Sequence, residues 1–401
     1  MKSYDIVVIG AGPAGSSYAR LAAENGYSVL LLERQEFSGK ITACGGLLSR
    51  RHFEHFVEDP AIAEAPISRI DFVFPWGSVA HQEEFVTVQR CRFDRYLSEN
   101  AARKGATLLT STTATDYEIR GKGDVVVHTQ SKDREKESFQ CKLAVFADGP
   151  FSLAAKKNPR FNPEPKKPWW AFAYAYDFEG VTVEPDVCKI YLDQRLVRWG
   201  YAWIFPDNGM MNVGIGTILP EMKNRQDLKD AFQVMIEKHP VTAPLLKDQK
   251  ILKKNGGYIP MRLLDEYVDD SEALIGDAAG MVSPLFGAGI DYCLEAAQHL
   301  AEVTDKAFKS GRFDRLFLNE YADKMEAGFF KDLKHQNWAS DIIIKSMKYH
   351  SSLPTKLLSI AAFGGEYNRF NKLRTLFYPA LGMPQKMKSA GEITFTHGTR
   401  D

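Results

Sequence analysis

At 401 residues the chain is long enough to bury a large core and to build two or more lobes. Its 51 Lys/Arg balance 51 Asp/Glu, so no global charge bias points toward nucleic acid. The five cysteines (Cys44, Cys91, Cys141, Cys188 and Cys293) form no Cys-x-x-Cys pair or Cys/His cluster, which speaks against bound metal, whether structural zinc or an internal iron–sulfur cluster. Met1-Lys-Ser-Tyr-Asp5 runs directly into a first strand with no room for a signal peptide, and no apolar run approaches a membrane span, so a reducing cytoplasm is expected.

The first predicted element is an apolar strand, Ile6-Val-Val-Ile9, that enters Gly10-Ala-Gly12-Pro-Ala14-Gly15 and then a helix. A second apolar run, Ser28-Val-Leu-Leu-Leu-Glu33, closes on an acid 23 positions after Gly10. This is the dinucleotide-binding βαβ pattern: Gly10 permits the tight turn, Gly12 lets backbone approach a pyrophosphate, and Gly15 lets helix and strand pack closely. The helix N-terminus offers free N–H groups to phosphate, and Glu33 is placed to accept from ribose hydroxyls.

Residues 35–50 read as a glycine-containing loop that holds Cys44-Gly45-Gly46, and strands follow over 68–90. A helix is predicted over Arg92–Lys104 with its stop at Gly105, then short strands over 107–146 that end in Ala147-Asp148-Gly149. The proline-containing stretch 150–168 reads as a crossing linker. From 169 to about 220 aromatic residues alternate as in an antiparallel sheet over a pocket, and a helix follows at about 224–239. The strand Ala273-Leu-Ile-Gly276 meets Asp277, a long helix begins near Ala288, and the chain stays mainly helical to about 375.

The predicted fold class is α/β. A discontinuous Rossmann-type domain (1–67, 90–165 and 255–330) carries an inserted antiparallel-sheet substrate domain (68–89 and 166–254), followed by a mainly helical region, 331–401. Within that region residues 331–390 hold ten Lys/Arg and three acids, with apolar clusters at Ile342-Ile-Ile344 and Leu357-Leu358. Such a stretch either caps the fold with a solvated basic face or lies on an anionic membrane surface.

Further motifs carry a family resemblance. Arg90-Cys-Arg-Phe93-Asp94-Arg-Tyr-Leu97, Ala147-Asp148-Gly149 and Gly276-Asp277-Ala-Ala-Gly280 resemble the conserved motifs of flavoproteins similar to p-hydroxybenzoate hydroxylase. Within that superfamily, Ala43-Cys44-Gly45-Gly46 and Tyr201-Ala-Trp203-Ile-Phe205-Pro206, followed by Asn212-Val-Gly214-Ile-Gly216, resemble the geranylgeranyl reductase family. The resemblance implies FAD, held by Gly10, Gly12, Ala14, Gly15, Glu33, Arg34, Cys44, Gly45, Arg90, Ala114, Asp148, Asp277, Gly289 and Ile290. It implies an isoprenoid chain over the flavin, against Tyr201, Trp203, Phe205, Pro206, Gly214 and Gly216, and hydrogenation of isolated C=C bonds. Cys44 is the candidate catalytic residue, as a proton donor beside the flavin or as a small residue fitted to the loop. Three departures bear on the substrate: Lys40-Ile-Thr-Ala43 before the cysteine, Leu47 after the glycines, and Asp291-Tyr-Cys293 where small residues are usual.

An unactivated alkene needs a hydride at one carbon and a proton at the other, and aromatic faces can stabilise the developing cation by about 0.5–2 kcal/mol each. No second dinucleotide motif is present, so an external donor is expected: a ferredoxin-like protein, NAD(P)H or a quinol-linked donor. Two other readings share these motifs. One is a flavin monooxygenase or halogenase, the latter needing a lysine near its substrate, for which Lys40 is a poor candidate. The other is a flavin electron carrier docking at a membrane. The histidines show no ligand spacing and receive no role, and Asp291 is an unassigned acid near a helix start.

Overall fold

A computed structural model describes residues 1–75, 77–161, 170–180, 182–328, 333, 336 and 337. After a two-residue strand β1 (Lys2–Ser3), the opening βαβ forms as expected from β2 (Ile6–Ile9), α1 (Pro13–Glu24) and β3 (Val29–Leu32). With β7 (Thr107–Leu109), β11 (Leu143–Phe146), β17 (Val268–Asp269) and β18 (Glu272–Leu274) these strands make a six-stranded sheet, ordered β17-β18-β11-β2-β3-β7. All neighbours are parallel except the edge pair β17/β18. β2, β3 and β11 are buried along their whole length, as apolar parallel strands are when both faces are covered.

Helices α1, α3 (Arg90–Arg103) and α7 (Ile290–Ser310) pack together, and the Tyr18 hydroxyl meets Thr304 Oγ1 at 2.8 Å to join α1 to α7. A four-stranded sheet ordered β1-β10-β9-β8 lends Val125, Val127 and Phe139 to the same core. Its remaining strands are β8 (Thr112–Gly121), β9 (Asp124–Ser131) and β10 (Lys136–Cys141). The turn out of β2 tolerates no side chain: Gly10 has φ +100°, and a Cβ there would lie 2.3 Å from the Ala147 carbonyl oxygen. A Cβ on Gly15 would lie 2.0 Å from the Gly10 oxygen, which is the close approach its place in the motif predicts.

The second layer is an eight-stranded sheet ordered β16-β12-β15-β14-β13-β5-β6-β4. It is built from β4 (Leu47–Ser49), β5 (Ala65–Phe74), β6 (Gly77–Thr87), β12 (Trp170–Glu179), β13 (Val187–Tyr191), β14 (Gly200–Asp207), β15 (Met210–Ile218) and β16 (Ile251–Pro260). Neighbours are antiparallel except β13 and β5, which run parallel. Alternation along each strand separates two faces. Phe172, Ile204, Val213 and Ile215 pack with Leu228, Phe232 and Met235 of α5 (Arg225–Glu237) and with Leu246 of α6 (Ala243–Leu246). Ile70, Phe72, Ala173, Ala175, Ile190, Trp203 and Phe205 form the opposite face.

Two stretches read as loop or linker carry regular structure. Leu47–Ser49 pairs with β6 at the sheet edge, and α2 (Arg50–Phe56) follows, with its first turn capped by the Ser49 hydroxyl. A three-residue strand has no periodicity of its own, so only the pairing with β6 reveals it. Within 150–168, α4 (Leu153–Lys157) starts at the capping side chain of Ser152. The expected helical character after α7 is seen in α8 (Arg315–Leu318) and α9 (Glu320–Ala327). The basic segment 331–390 lies outside the described residues apart from Leu333, Gln336 and Asn337.

Candidate functional site

A cavity of about 1310 Å³ opens between the C-terminal ends of the parallel strands and the apolar face of the eight-stranded sheet. Carboxyl ends of parallel strands are where open α/β sheets bind ligands. Its volume exceeds the several hundred Å³ of an ordinary small-molecule pocket.

One end is built by the βαβ unit. Gly12, Pro13 and Ala14 form the wall at the N-terminus of α1, and a Cβ on Gly12 would meet no protein atom within 4 Å. Backbone here is free to touch a phosphate. Gly10 and Gly15 shape this turn from behind the wall. Glu33 is buried, and its carboxylate accepts the N–H of Ala11 (3.1 Å) and of Gln35 (2.8 Å), which aims it at the same turn. Burial raises its carboxyl above the usual range, opposed by those two hydrogen bonds. Arg34 stands exposed beside it.

The middle of the cavity is bounded by Asp277 and the start of α7. The Asp277 carboxylate faces the cavity and accepts no hydrogen bond from the protein among the described residues. Burial raises its pKa, and the Arg90 charge pulls it back. Gly287, Ala288, Gly289 and Ile290 line the wall where α7 begins, with no side-chain cap over the helix N-terminus. A partner-free carboxylate and a glycine cradle without a Cβ are the groups a ribityl chain and a pyrophosphate require, so the residues fit a flavin dinucleotide.

Cys44 and Gly45 occupy the opposite wall. The Cys44 Sγ accepts the Gly46 N–H at 3.4 Å and lies against the Arg90 guanidinium. Arg90 is held by Asp94 through two bonds of 2.6 and 2.8 Å. Burial works against the Arg90 charge, and the facing Asp94 and Cys44 outweigh it. Gly45 meets the substrate-motif aromatics directly: a Cβ on it would lie 2.8 Å from Phe205 Cε2 and 3.3 Å from Trp203 Nε1.

The third wall is β14. Tyr201, Trp203 and Phe205 follow one another on one face, with ring centroids 5.8 and 6.3 Å apart. Tyr201 donates its hydroxyl to the Phe286 carbonyl. Trp203 Nε1 donates to Asn212 Oδ1 (2.8 Å), and Asn212 donates on to Asp177 (2.9 Å), so the indole is fixed and presents only ring carbon. Among the described residues no lysine lines the cavity, and Lys40 pairs with Glu36 at 2.7 Å.

The structure therefore gathers Gly12, Ala14, Cys44, Gly45, Arg90, Asp277, Gly289, Ile290, Tyr201, Trp203, Phe205 and Gly216 around one space. Others stand apart from its wall. Ala114 sits in β8, packed on the domain core. Asp148 accepts the Leu153 N–H at 2.7 Å, and its other oxygen is buried with no hydrogen-bond partner among the described residues. Gly214 lies beneath Trp203, and the carbonyl of the buried Pro206 accepts from the Thr87 hydroxyl at 2.9 Å. One cluster was invisible in the sequence: Ser49, His52 and Asp291 meet on the cavity wall, from β4, α2 and α7, 239 positions apart for the last two. Asp291 alone gave a signal, as an acid in a small-residue turn.

Comparison with known proteins gives the family of the chain. The FAD binding domain family matches residues 3–321. Digeranylgeranylglycerophospholipid reductase 2 of Methanothermobacter thermautotrophicus is 32% identical over 343 residues, spanning 82% of this chain and 85% of the relative. Geranylgeranyl diphosphate reductase of Rhodobacter capsulatus is 30% identical over 338 residues, spanning 82% and 80%. The crystal structure of a geranylgeranyl bacteriochlorophyll reductase-like protein from Thermoplasma acidophilum superposes with a TM-score of 0.78 at 25% identity, covering 85% of this chain and 87% of that one. Flavin-dependent brominase Bmp2, at 18% identity and a TM-score of 0.73 over 97% of this chain and 98% of its own, shares the fold. With the family match over most of its length and relatives near one-third identity, the chain belongs to the geranylgeranyl reductase family of FAD-dependent oxidoreductases.

Proposed function

We propose that this protein saturates isolated C=C bonds of an isoprenoid chain carried on a lipid or a prenyl diphosphate. The observation that carries the reading is the apolar arm of the cavity. Ile70, Phe72, Ala173, Ala175 and Ile190 give it an apolar wall, and Tyr201, Trp203 and Phe205 connect it to the Cys44-Gly45 loop. The relatives' names, which specify geranylgeranyl substrates, support the same class.

When bound and reduced, FAD supplies the hydride. The chain's residues do the rest. Gly12 and the α1 N-terminus would hold the pyrophosphate, Glu33 and Asp277 would accept from hydroxyls, and the α7 N-terminus would favour the negative charge that reduction builds. The aromatic wall orients the alkene, keeps water out and stabilises cationic character as the proton arrives. Electrons come from an external donor of the ferredoxin, nicotinamide or quinol class. The basic segment 331–390 is suited to an anionic lipid surface, where a membrane-borne substrate would be met, and binding to anionic but not neutral vesicles tests that contact. The absence of lysine from the described cavity wall disfavours the halogenase reading.

The test is anaerobic. Protein reduced with dithionite is mixed with geranylgeranyl diphosphate or a geranylgeranylated lipid, and the oxidised-flavin absorbance is followed beside product mass. Return of the band with two hydrogens gained per bond supports the reading. A flavin that stays reduced until air is admitted overturns it in favour of oxygen-using chemistry.

A further inference from the structure

We propose that Ser49, His52, Asp291 and Glu295 form a proton path that brings the proton consumed at the alkene from solvent to the cavity wall. The proposal rests on the reductase reading above, because each saturated bond takes up one proton for every hydride.

The path is hydrogen-bonded from Ser49 and Asp291 to His52 and continues to solvent through longer charge contacts along α7. Asp291 Oδ1 accepts from the Ser49 N–H (3.1 Å) and hydroxyl (2.8 Å) and contacts His52 Nδ1 at 2.8 Å. On the other side of the ring, His52 Nε2 faces Glu295 Oε2 at 3.4 Å. Glu295 reaches His299 at 3.8 Å, and His299 reaches Glu302 at 3.9 Å. Positions 291, 295, 299 and 302 follow one stripe of α7, three or four residues apart. The stripe begins one residue after Ile290, at the turn facing the proposed flavin ring, and ends at Glu302, whose side chain is 42% exposed. Ser49, His52 and Asp291 line the cavity, and the His52 side chain is only 9% exposed.

The arrangement differs from a hydrolytic triad. There serine and carboxylate take opposite nitrogens of the imidazole. Here both Ser49 Oγ and Asp291 Oδ1 sit on Nδ1, and Nε2 points away toward Glu295. Carboxylates on both ring nitrogens suit an imidazolium that passes a proton through. Burial disfavours the charge on His52, and its hydrogen bonds to Asp291 and Glu295 outweigh both burial and the nearby Arg51 charge, raising its pKa to about 9. Glu295 is held down at about 2 by His299 first and His52 second. The groups facing the imidazole are Ser49 from β4, Arg51 from α2, and Asp291 and Glu295 from α7; the neighbouring Arg50 is paired to Glu84 of β6 at 3.4 Å.

In turnover the alkene π bond breaks, one carbon gains hydride from reduced flavin, and the other gains a proton. The His52 imidazolium passes its Nδ1 proton to the Asp291 carboxylate, which delivers it toward the cavity. The imidazole regains a proton at Nε2 through Glu295, resupplied from solvent by way of His299. Reducing equivalents come from the external two-electron donor, so one proton crosses per hydride used.

The test uses the FAD-loaded full chain, reduced with dithionite and mixed anaerobically with geranylgeranyl diphosphate. H52Q is expected to keep its bound FAD and to lower the single-turnover rate on the order of 10²-fold, the scale of a lost acid–base group. In the wild type the rate falls as pH rises through about 9, and H52Q lacks that inflection. D291N, which still offers an oxygen to the Ser49 N–H, gives the same loss and guards against misfolding of the first variant. A second readout is independent of turnover: NMR titration of the His52 imidazole gives a midpoint near 9 in the wild type, moving toward 6.5 in D291N. If both variants turn over at the wild-type rate with the wild-type pH profile, or if His52 titrates at the ordinary value in the wild type, the path is overturned and the reductase reading stands. A wild type inert toward every prenyl substrate overturns the reductase reading itself.

Discussion

Gly214 faces Trp203 across the β14/β15 pair, and a methyl group on it would fall 2.0 Å from the indole Cζ2. The glycine belongs to the family motif because the tryptophan beside it needs the space. The same indole donates its Nε1–H to Asn212 Oδ1 beside this contact, so its position is fixed by packing and by a hydrogen bond.

Gly214→Ala should therefore push the indole into the cavity. Overpacking of this kind costs about 1–3 kcal/mol, readable as a lower urea midpoint. Trp203→Ala removes the ring outright. If the ring stabilises positive charge by about 0.5–2 kcal/mol, the loss in single-turnover rate is about 2- to 30-fold at 1.36 kcal/mol per tenfold. A Trp203→Ala protein with unchanged rate and unchanged chain-length preference would remove the indole from the substrate site.

The glycines of the first turn separate folding from cofactor binding. Gly15→Ala places a methyl 2.0 Å from the Gly10 oxygen, so it should lower the stability of the apoprotein by about 1–3 kcal/mol or more. Gly12→Val meets no protein atom through its Cβ and should leave apoprotein stability nearly unchanged while the purified protein loses its yellow colour. Thermal unfolding of the two apoproteins, alongside flavin content, checks the distinction. Equal destabilisation by both substitutions would contradict it.

How much of this could be read in the chain depended on how local each signal is. The βαβ unit, Asp277 and the Tyr201–Phe205 strand all announce themselves within a dozen residues, and the structure brings them to one cavity. The two faces of the large sheet follow from alternation alone. Strand β4 and helix α2 did not announce themselves, because Leu47–Ser49 is a strand only by pairing with β6. His52 was unreadable for the same reason: its partners lie on α7, brought close by tertiary packing, and no spacing connects them. Gly214 carried a motif signal whose physical content, room for an indole, is visible only across the strand pair.

The His52 cluster also makes stability depend on pH. Its folded pKa of about 9 lies above the ordinary 6.5, so the stabilisation is full below about pH 6.5 and is lost as pH rises through 9. The shift corresponds to about 3 kcal/mol at most. Glu295, lowered to about 2, contributes above about pH 4.5 and loses its contribution as pH falls toward 2. The two shifts largely describe one ion pair and are not added. Urea unfolding between pH 6 and 10 should show wild-type stability falling relative to H52Q, with the difference shrinking toward zero above pH 9. A difference that stays constant across that range would place the His52 contribution in packing rather than charge.

The length of the apolar arm should set which prenyl chains are reduced. Ala171, Ala173 and Ala175 lie on the cavity face of β12, and the last two pair with Gly216 and Gly214 of β15. This run of small residues keeps the arm open beside the aromatic wall, with Ala173 and Ala175 only 6% and 4% exposed. Ala175→Leu fills part of that space without adding a polar group, so it should spare FAD binding and the flavin spectrum. The expected loss falls on kcat/KM for geranylgeranyl substrates, with geranyl substrates, whose tails do not reach as far, little affected. Steric misfit of a few methylenes discriminates by about 1–3 kcal/mol, which is about 10- to 200-fold in the ratio of the two kcat/KM values. Ala173→Leu, two residues along the same face, should shift the cutoff to a different chain length. Should both substitutions slow short and long substrates equally, the chain would not run along β12, and the side of the arm formed by Ile70 and Ile190 would be the one that measures it.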